Sequence, residues 1–349
     1  MKIATLTFHR AINYGASLQT FALYDYLRKN RKDDSVGVLD YLSPLFKKRY
    51  SRKIDFRNPK KAVYLILTHR SGKKKELKFR RFLEDNINLI PFDEAGTVDK
   101  CFVGSDQVWN GEIVGYDNNF LLDFLSDEKK LSYAASIGVT ELSDKEKQWL
   151  KRTESFYDIS VRESSAAELI KSVTGRECTV VPDPVFLLSK NEWQKVEKPV
   201  DKLKEPFVLI YKFNKDNRLI DKAVAYAKER GLRVAILTNS VKKHKGCIGL
   251  NSISPDEFLW LVHNSECVFT NSFHATAFSV LYNKPFYSDM NTERNTRMKE
   301  LLSLLDLQDR EIIRYDAALS ASQINWEAVN SKLREYCQTG KDFIASSLK

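Results

Sequence analysis

Residues 267–279 read Cys267-Val268-Phe269-Thr270-Asn271-Ser272-Phe273-His274-Ala275-Thr276-Ala277-Phe278-Ser279. Cys267-Val268-Phe269 is a short apolar run of the kind that forms a buried strand. From Thr276 through Val280, Leu281 and Tyr282 the apolar positions change to helical spacing. Asn271 and Ser272 carry side chains that cap a helix start. His274 is thereby expected at a strand-to-helix turn, where outward-pointing backbone N–H groups stabilise anions. An imidazole in that place suits acid–base chemistry beside an anionic ligand. The plainer alternative is a capping or core histidine.

The same alternation of strand and helix runs outward in both directions. Strands are expected at 2–8, 36–41, 101–103, 131–135, 158–161, 177–181, 207–212, 232–237, 267–270 and near 285–286. Helices are expected at roughly 16–29, 61–68, 73–86, 143–155, from 164 to about 172, and at 216–230, 255–264, 273–282, 294–305 and 326–346. The basic stretch 44–60, interrupted by Pro44 and Pro59, reads as a loop or flap. Alternating strands and helices imply an α/β protein with parallel sheets flanked by helices. The breaker-rich and charged residues 191–206 read as a linker. They divide the chain into an N-terminal Rossmann-like domain, 1–190, and a C-terminal one, 207–325, facing across a cleft. A last helix, 326–349, is free to return to the N-terminal domain.

The 349 residues are 43% apolar and 29% charged, ordinary for a globular protein of two domains. No run approaches the ~20 apolar residues needed to span a bilayer, and the N-terminus lacks the apolar core of a signal peptide. A cytoplasmic location is expected. Cys101, Cys178, Cys247, Cys267 and Cys337 are scattered without a C-x-x-C pair, which argues against a disulfide framework or zinc site; no metal is expected. The net charge of +10 is concentrated at 47–81, in Lys47-Lys48-Arg49, Arg52-Lys53, Lys60-Lys61, Lys73-Lys74-Lys75 and Arg80-Arg81. It suits phosphorylated substrates or peripheral contact with the anionic inner face of a membrane. A merely solvated face is the alternative. No nucleic-acid motif accompanies the charge, so nucleic acid is not an expected partner.

Further candidates lie at other expected strand ends, where open α/β sheets bind ligands. Arg162-Glu163 could clamp a carboxylate or phosphate; a surface ion pair is the alternative. Gly104-Ser105-Asp106-Gln107-Val108-Trp109-Asn110 offers Ser105, Asp106 and Gln107 as hydrogen-bonding groups and Trp109 as a stacking surface for a sugar. Asp106 could take a proton from a sugar hydroxyl. The alternative is a turn with Trp109 as a packing anchor. Asn13-Tyr14-Gly15 with Gln19 joins the first strand to the first helix and resembles no phosphate-binding loop. It reads as a substrate-holding loop or as a turn with Gly15 left-handed. Asp183 stands between two prolines as ligand contact or rigid turn. Arg294 and Arg297 could meet an anion or sit on a solvated helix face.

Together these runs resemble the polysaccharide pyruvyl transferase family. The resemblance rests on Asn13-Tyr14-Gly15-Ala16 with Leu18-Gln19, on Val103 through Asn110, and on Tyr133-Ala134-Ala135-Ser136-Ile137-Gly138. Val161-Arg162-Glu163, Asp183-Pro184-Val185-Phe186-Leu187-Leu188 and Thr270 through His274 complete it, in the family's order. The resemblance implies a GT-B-like pair of Rossmann domains. It implies transfer of the enolpyruvyl-derived group of phosphoenolpyruvate to a sugar of a bacterial surface polysaccharide or its lipid-linked precursor, forming a cyclic ketal, with phosphoenolpyruvate as donor substrate and no cofactor. His274 would be the general acid and Asp106 the base or a ligand of the acceptor hydroxyl. Arg162, Asn271, Ser272, Arg294 and Arg297 would hold the donor, and Asn13, Tyr14, Gly15, Gln19, Ser105, Gln107 and Trp109 the acceptor. Family members often carry Arg-Leu-His-Gly where this chain has Ser272-Phe273-His274-Ala275, so another cation such as Arg294 is called for. The rival readings are a glycosyltransferase of the same architecture using a nucleotide sugar, and a non-catalytic glycan-binding relative.

Overall fold

The computed structural model describes residues 1–50, 68–213, 216–238, 244–290, 296–315 and 324–349. The chain forms two compact units. The first contains Met1–Tyr50, Leu83–Leu188 and Asn330–Lys349; the second contains residues 68–82 and Ser189–Val329.

In the first unit seven parallel strands lie in the order β3-β2-β1-β4-β5-β6-β7. They are β1 Lys2–Leu6, β2 Ser35–Asp40, β3 Leu89–Pro91, β4 Lys100–Val103, β5 Lys130–Ala135, β6 Asp158–Val161 and β7 Thr179–Val180. The strand order reverses between β1 and β4, and at such a switch point the connections leave in opposite directions and open a crevice beyond the carboxyl ends. The helix Tyr14–Asn30 starts there, with Asn13 Oδ1 accepting from Ala16 N at 3.3 Å. The C-terminal helix Trp326–Ser347 packs on this unit at its far end. Ser347 Oγ donates to Asp158 at 2.6 Å. Gly340 lies so close to Tyr133 and Pro182 that a Cβ there would stand 2.3 Å from the Tyr133 hydroxyl.

In the second unit five parallel strands take the order β10-β9-β8-β11-β12, with β8 Phe207–Tyr211, β9 Arg233–Leu237, β10 Ile248–Leu250, β11 Cys267–Thr270 and β12 Phe286–Ser288. Their switch point falls between β8 and β11. All five residues of β8 are buried, the continuous apolar run that a parallel strand covered on both faces requires.

Three expectations need correction. The stretch 191–206 is not a free linker. The chain crosses between units at Leu188 and Ser189, and a capping box at Ser189 and Glu192 starts the short helix Lys190–Gln194. Its Trp193 is fully buried edge-on against Phe278. Residues 68–82 belong with the second unit, to which Lys78 Nζ is tied by Glu257 at 2.5 Å and the Ser71 carbonyl by Ser252 Oγ at 2.6 Å. Pro44–Tyr50 is helical, not a flap, since proline is tolerated in a first helical turn. The expected helix 61–68 and most of the flap 44–60 lie outside the described residues.

Candidate active site

The carboxyl ends of β1, β4, β5 and β6 carry one hydrogen-bonded scaffold. Gly104 leaves β4 with φ +119°, and a Cβ there would collide with the Tyr133 carbonyl at 2.3 Å, so only glycine fits. Gln19, fully buried, accepts from Ser105 N at 3.1 Å and donates to Thr7 Oγ1 at 2.9 Å. Glu163 is also buried. Its Oε1 accepts from Ser136 Oγ (2.7 Å), Ile137 N (3.1 Å) and Gly138 N (3.2 Å). The Ser136-Ile137-Gly138 turn is therefore an internal carboxylate cradle.

Arg162 stands at the centre of this scaffold with its side chain 1% exposed. Its Nη1 donates to Asp183 Oδ2 at 2.5 Å and to Ser105 Oγ at 3.3 Å. Asp106 Oδ1 and Glu163 Oε2 lie 3.8 and 3.9 Å from the same guanidinium. Burial opposes its charge, but the three carboxylates outweigh burial and raise its pKa. Within the cluster Asp106 alone is partly exposed, its side chain at 20%. It takes a left-handed backbone, φ +72°, while its carbonyl accepts from Ser136 N at 3.0 Å and keeps it bridged to the end of β5.

A second cluster adjoins it at the ends of β1 and β2. Arg10 pairs with both oxygens of Asp40 at 2.5 Å, and His9 Nε2 lies 3.1 Å from Asp40 Oδ1 while Nδ1 faces the Thr7 carbonyl at 3.2 Å. The hydrogen bonds from His9 and then Arg10 hold the Asp40 carboxyl well below the usual carboxylate range.

In the second unit the switch point is built by β8 and β11. Thr270 Oγ1 donates to the Tyr211 carbonyl at 2.6 Å and accepts from Ser272 N at 3.0 Å. Asn271 Oδ1 accepts from Phe213 N at 2.9 Å, tying the two strand ends together. Ser272 caps the helix Phe273–Leu281, accepting from Ala275 N at 3.4 Å. His274 is the second residue of that helix and is 8% exposed. It thus sits among the first N–H groups of a nine-residue helix, where negative charge is stabilised. Lys212 leaves β8 beside this turn, its Nζ donating to the Asp216 carbonyl at 2.7 Å. Burial lowers its pKa. The Arg297 guanidinium lies 5.9 Å from the Phe273 ring. Phe213, 61% exposed, presents an aromatic face at the same strand end.

A model of the polysaccharide pyruvyl transferase family matches residues 13–288. The chain belongs to that family. No curated protein matches it in sequence. Solved structures share the fold at low identity. One is described as a UDP-N-acetylglucosamine 2-epimerase from Listeria monocytogenes, with 10% identity, 99% of this chain and 95% of that chain covered, and a TM-score of 0.55. Another is MnaA of S. aureus, solved with UDP, at 13% identity, the same coverage and a TM-score of 0.51. Two parallel sheets flanked by helices, the α/β architecture of GT-B enzymes, are thus common to this pyruvyl transferase family member and those proteins.

Within this family member the candidates named from sequence separate by environment. His274, Asn271 and Ser272 meet at the β8–β11 switch point, with Arg297 in the helix Thr296–Leu304 nearby. Arg294 lies outside the described residues. Arg162 does not project as a clamp: it is buried and taken up by Asp183. Trp109 does not offer a sugar platform either. Its indole is fully buried, edge-on to Phe156, and donates to the Phe120 carbonyl at 3.1 Å. Gln19, Ser105, Gln107 and Tyr14 are buried. Gly15 is an ordinary residue of the first helical turn rather than a left-handed one, and Asn13 is that helix's cap. Sequence reading passed over Lys212, Phe213 and the His9–Asp40 pair. Lys212 was hidden inside the expected strand 207–212, which ends one residue earlier.

Proposed function

We propose that this protein transfers the pyruvyl group of phosphoenolpyruvate to a sugar of a bacterial surface polysaccharide or its lipid-linked precursor, forming a pyruvate ketal. The observation that carries the reading is His274 at the N-terminal turn of the switch-point helix, in a chain of this family. His274 gives its proton to the methylene carbon of the donor, leaving an oxocarbenium-like C2 stabilised by the enol oxygen. A sugar hydroxyl adds to C2, forming one C–O bond and releasing its proton to water. A second hydroxyl of the same sugar then displaces phosphate, breaking the C2–O bond, passing its proton to the departing phosphate and closing the ring. The sum is donor plus diol to ketal plus inorganic phosphate.

Phosphoenolpyruvate is multiply anionic and needs cations. Where relatives often carry arginine, Ser272 is a helix cap. Lys212 and Arg297, with the helix N–H groups, take that role in this proposal. Arg162 acts as a positioning residue that holds the Asp106 turn. Phe213 replaces Trp109 as the ring on which a sugar stacks.

The rival is a nucleotide-sugar glycosyltransferase, favoured by the serine at 272 and by the fold shared with a UDP-bound protein. Thermal-shift titration separates the two. Stabilisation by phosphoenolpyruvate, with wild type releasing phosphate from it in the presence of glycosides, supports the pyruvyl reading. Stabilisation only by UDP-, GDP- or dTDP-sugars contradicts it.

A further inference from the structure

The helix His69–Asn86 has two faces of opposite character. Over residues 69–82, which belong to the second unit, one face is anchored: Phe79 is buried, Lys78 Nζ bonds both oxygens of Glu257 at 2.5 Å, and Ser252 Oγ donates to the Ser71 carbonyl at 2.6 Å. At 100° per residue these positions share one side of the helix. The opposite side holds Arg70, Lys73, Lys74, Leu77, Arg80 and Arg81, at i, i+3, i+4, i+7, i+10 and i+11, and all six are exposed. Over the whole helix seven Lys/Arg stand against Glu76, Glu84 and Asp85, a net +4 of the chain's +10, and exposed Glu84, at i+14, ends the stripe.

We infer that this face docks the protein on an anionic lipid bilayer. The cations form a straight stripe about 16 Å long. Their inward-facing partners fix the helix, so the charges are presented without folding on contact. A flat negative surface matches a straight row of cations. Leu77, 36% exposed in the middle of the row, favours a bilayer over other polyanions. An acyl boundary accepts an apolar side chain, and a phosphate backbone does not. Phe79 and Phe82 point inward, so the helix cannot bury a full apolar face in lipid. The contact is therefore shallow, reversible and screened by salt. Among the described residues no helix is long and apolar enough to cross a membrane. The inference does not depend on which donor the protein uses.

The test is flotation of the full chain with vesicles of phosphatidylcholine alone, or of phosphatidylcholine mixed with phosphatidylglycerol. Binding is expected only to the mixed vesicles. It should fall about fivefold for each cation removed, and several hundredfold in the variant Arg70→Gln/Lys73→Gln/Lys74→Gln/Arg81→Gln. Leu77→Ser should weaken it further at fixed charge. A thermal melt confirms that these exposed substitutions leave the fold intact. Absence of binding to mixed vesicles, binding that survives the quadruple substitution, or equally strong retention on duplex DNA with no effect of Leu77→Ser would each overturn the inference.

Discussion

Arg162 and Asp183, 21 residues apart in sequence, join through a 2.5 Å bond between guanidinium and carboxylate with both side chains out of water. A charge pair with this burial is held in place by its neighbours, Ser105 Oγ and Val185 N also donating to Asp183 at 3.3 and 3.1 Å, so it is a fixed part of the scaffold. Breaking such a pair from one side leaves the remaining charge buried, at a cost of ~3–5 kcal/mol. Arg162→Met should therefore lower the unfolding free energy by about that much in urea titrations. Arg162→Met/Asp183→Leu should recover a large share of it. Equal losses for single and double variants would contradict the pairing.

Trp109 is a packing residue whose N–H is satisfied by the Phe120 carbonyl. Trp109→Phe should cost about 1–3 kcal/mol, from an orphaned carbonyl and lost packing. Where the variant remains folded, the KM for the sugar acceptor should be unchanged. A raised acceptor KM with normal stability would restore the stacking role.

Asp40 has a pKa held low by His9 and Arg10. A carboxyl whose pKa is lower folded than unfolded stabilises the protein above the unfolded value, near 3.9, and loses that contribution as pH falls toward the folded value. Asp40→Asn should therefore melt below wild type at neutral pH. The group is partly exposed, so solvent screening limits the gap to about 1 kcal/mol. Differential scanning fluorimetry should show the gap closing as pH falls below the usual carboxylate range. A constant gap would mean that shape, not charge, is what the variant removes.

Lys212 is proposed to meet the anionic donor. Removing one charge-assisted hydrogen bond costs about 1.5–3 kcal/mol. Lys212→Ala should raise the KM for phosphoenolpyruvate by roughly ten- to a hundredfold with unchanged thermal stability. Lys212→Arg should restore part of it. An unaltered KM would move the donor cation to Arg297 or elsewhere.

The fold was legible because buried parallel strands are continuous apolar runs, as in Phe207–Tyr211 and Cys267–Thr270. The short strands Leu89–Pro91 and Ile248–Leu250 were not, since three residues containing Pro91 or Gly249 carry little pattern. His274 at a capped strand-to-helix turn was readable locally, and Ser272 caps it as its chemistry suggests. The environments of Arg162 and Trp109 were not readable. The groups that occupy them come from Ser105, Asp183 and Phe120, and no local spacing announces a partner 57 residues away. Polar neighbours around Trp109 imitated an open binding loop, while Ser105 and Asn110 donate to the Ala134 and Ile137 carbonyls. The basic run 73–81 was visible as charge, and only the helix shows that its cations share a face with Leu77.

The central claim is that His274 protonates phosphoenolpyruvate. Its most direct measurement is phosphoenolpyruvate-dependent phosphate release by wild type and His274→Ala against a panel of glycosides, with donor binding followed by thermal shift. Loss of a general acid lowers the rate by about 10²–10⁴-fold. A fall of that size is expected in His274→Ala, with phosphoenolpyruvate still stabilising the protein. Phosphate release at the wild-type rate in that variant would contradict it.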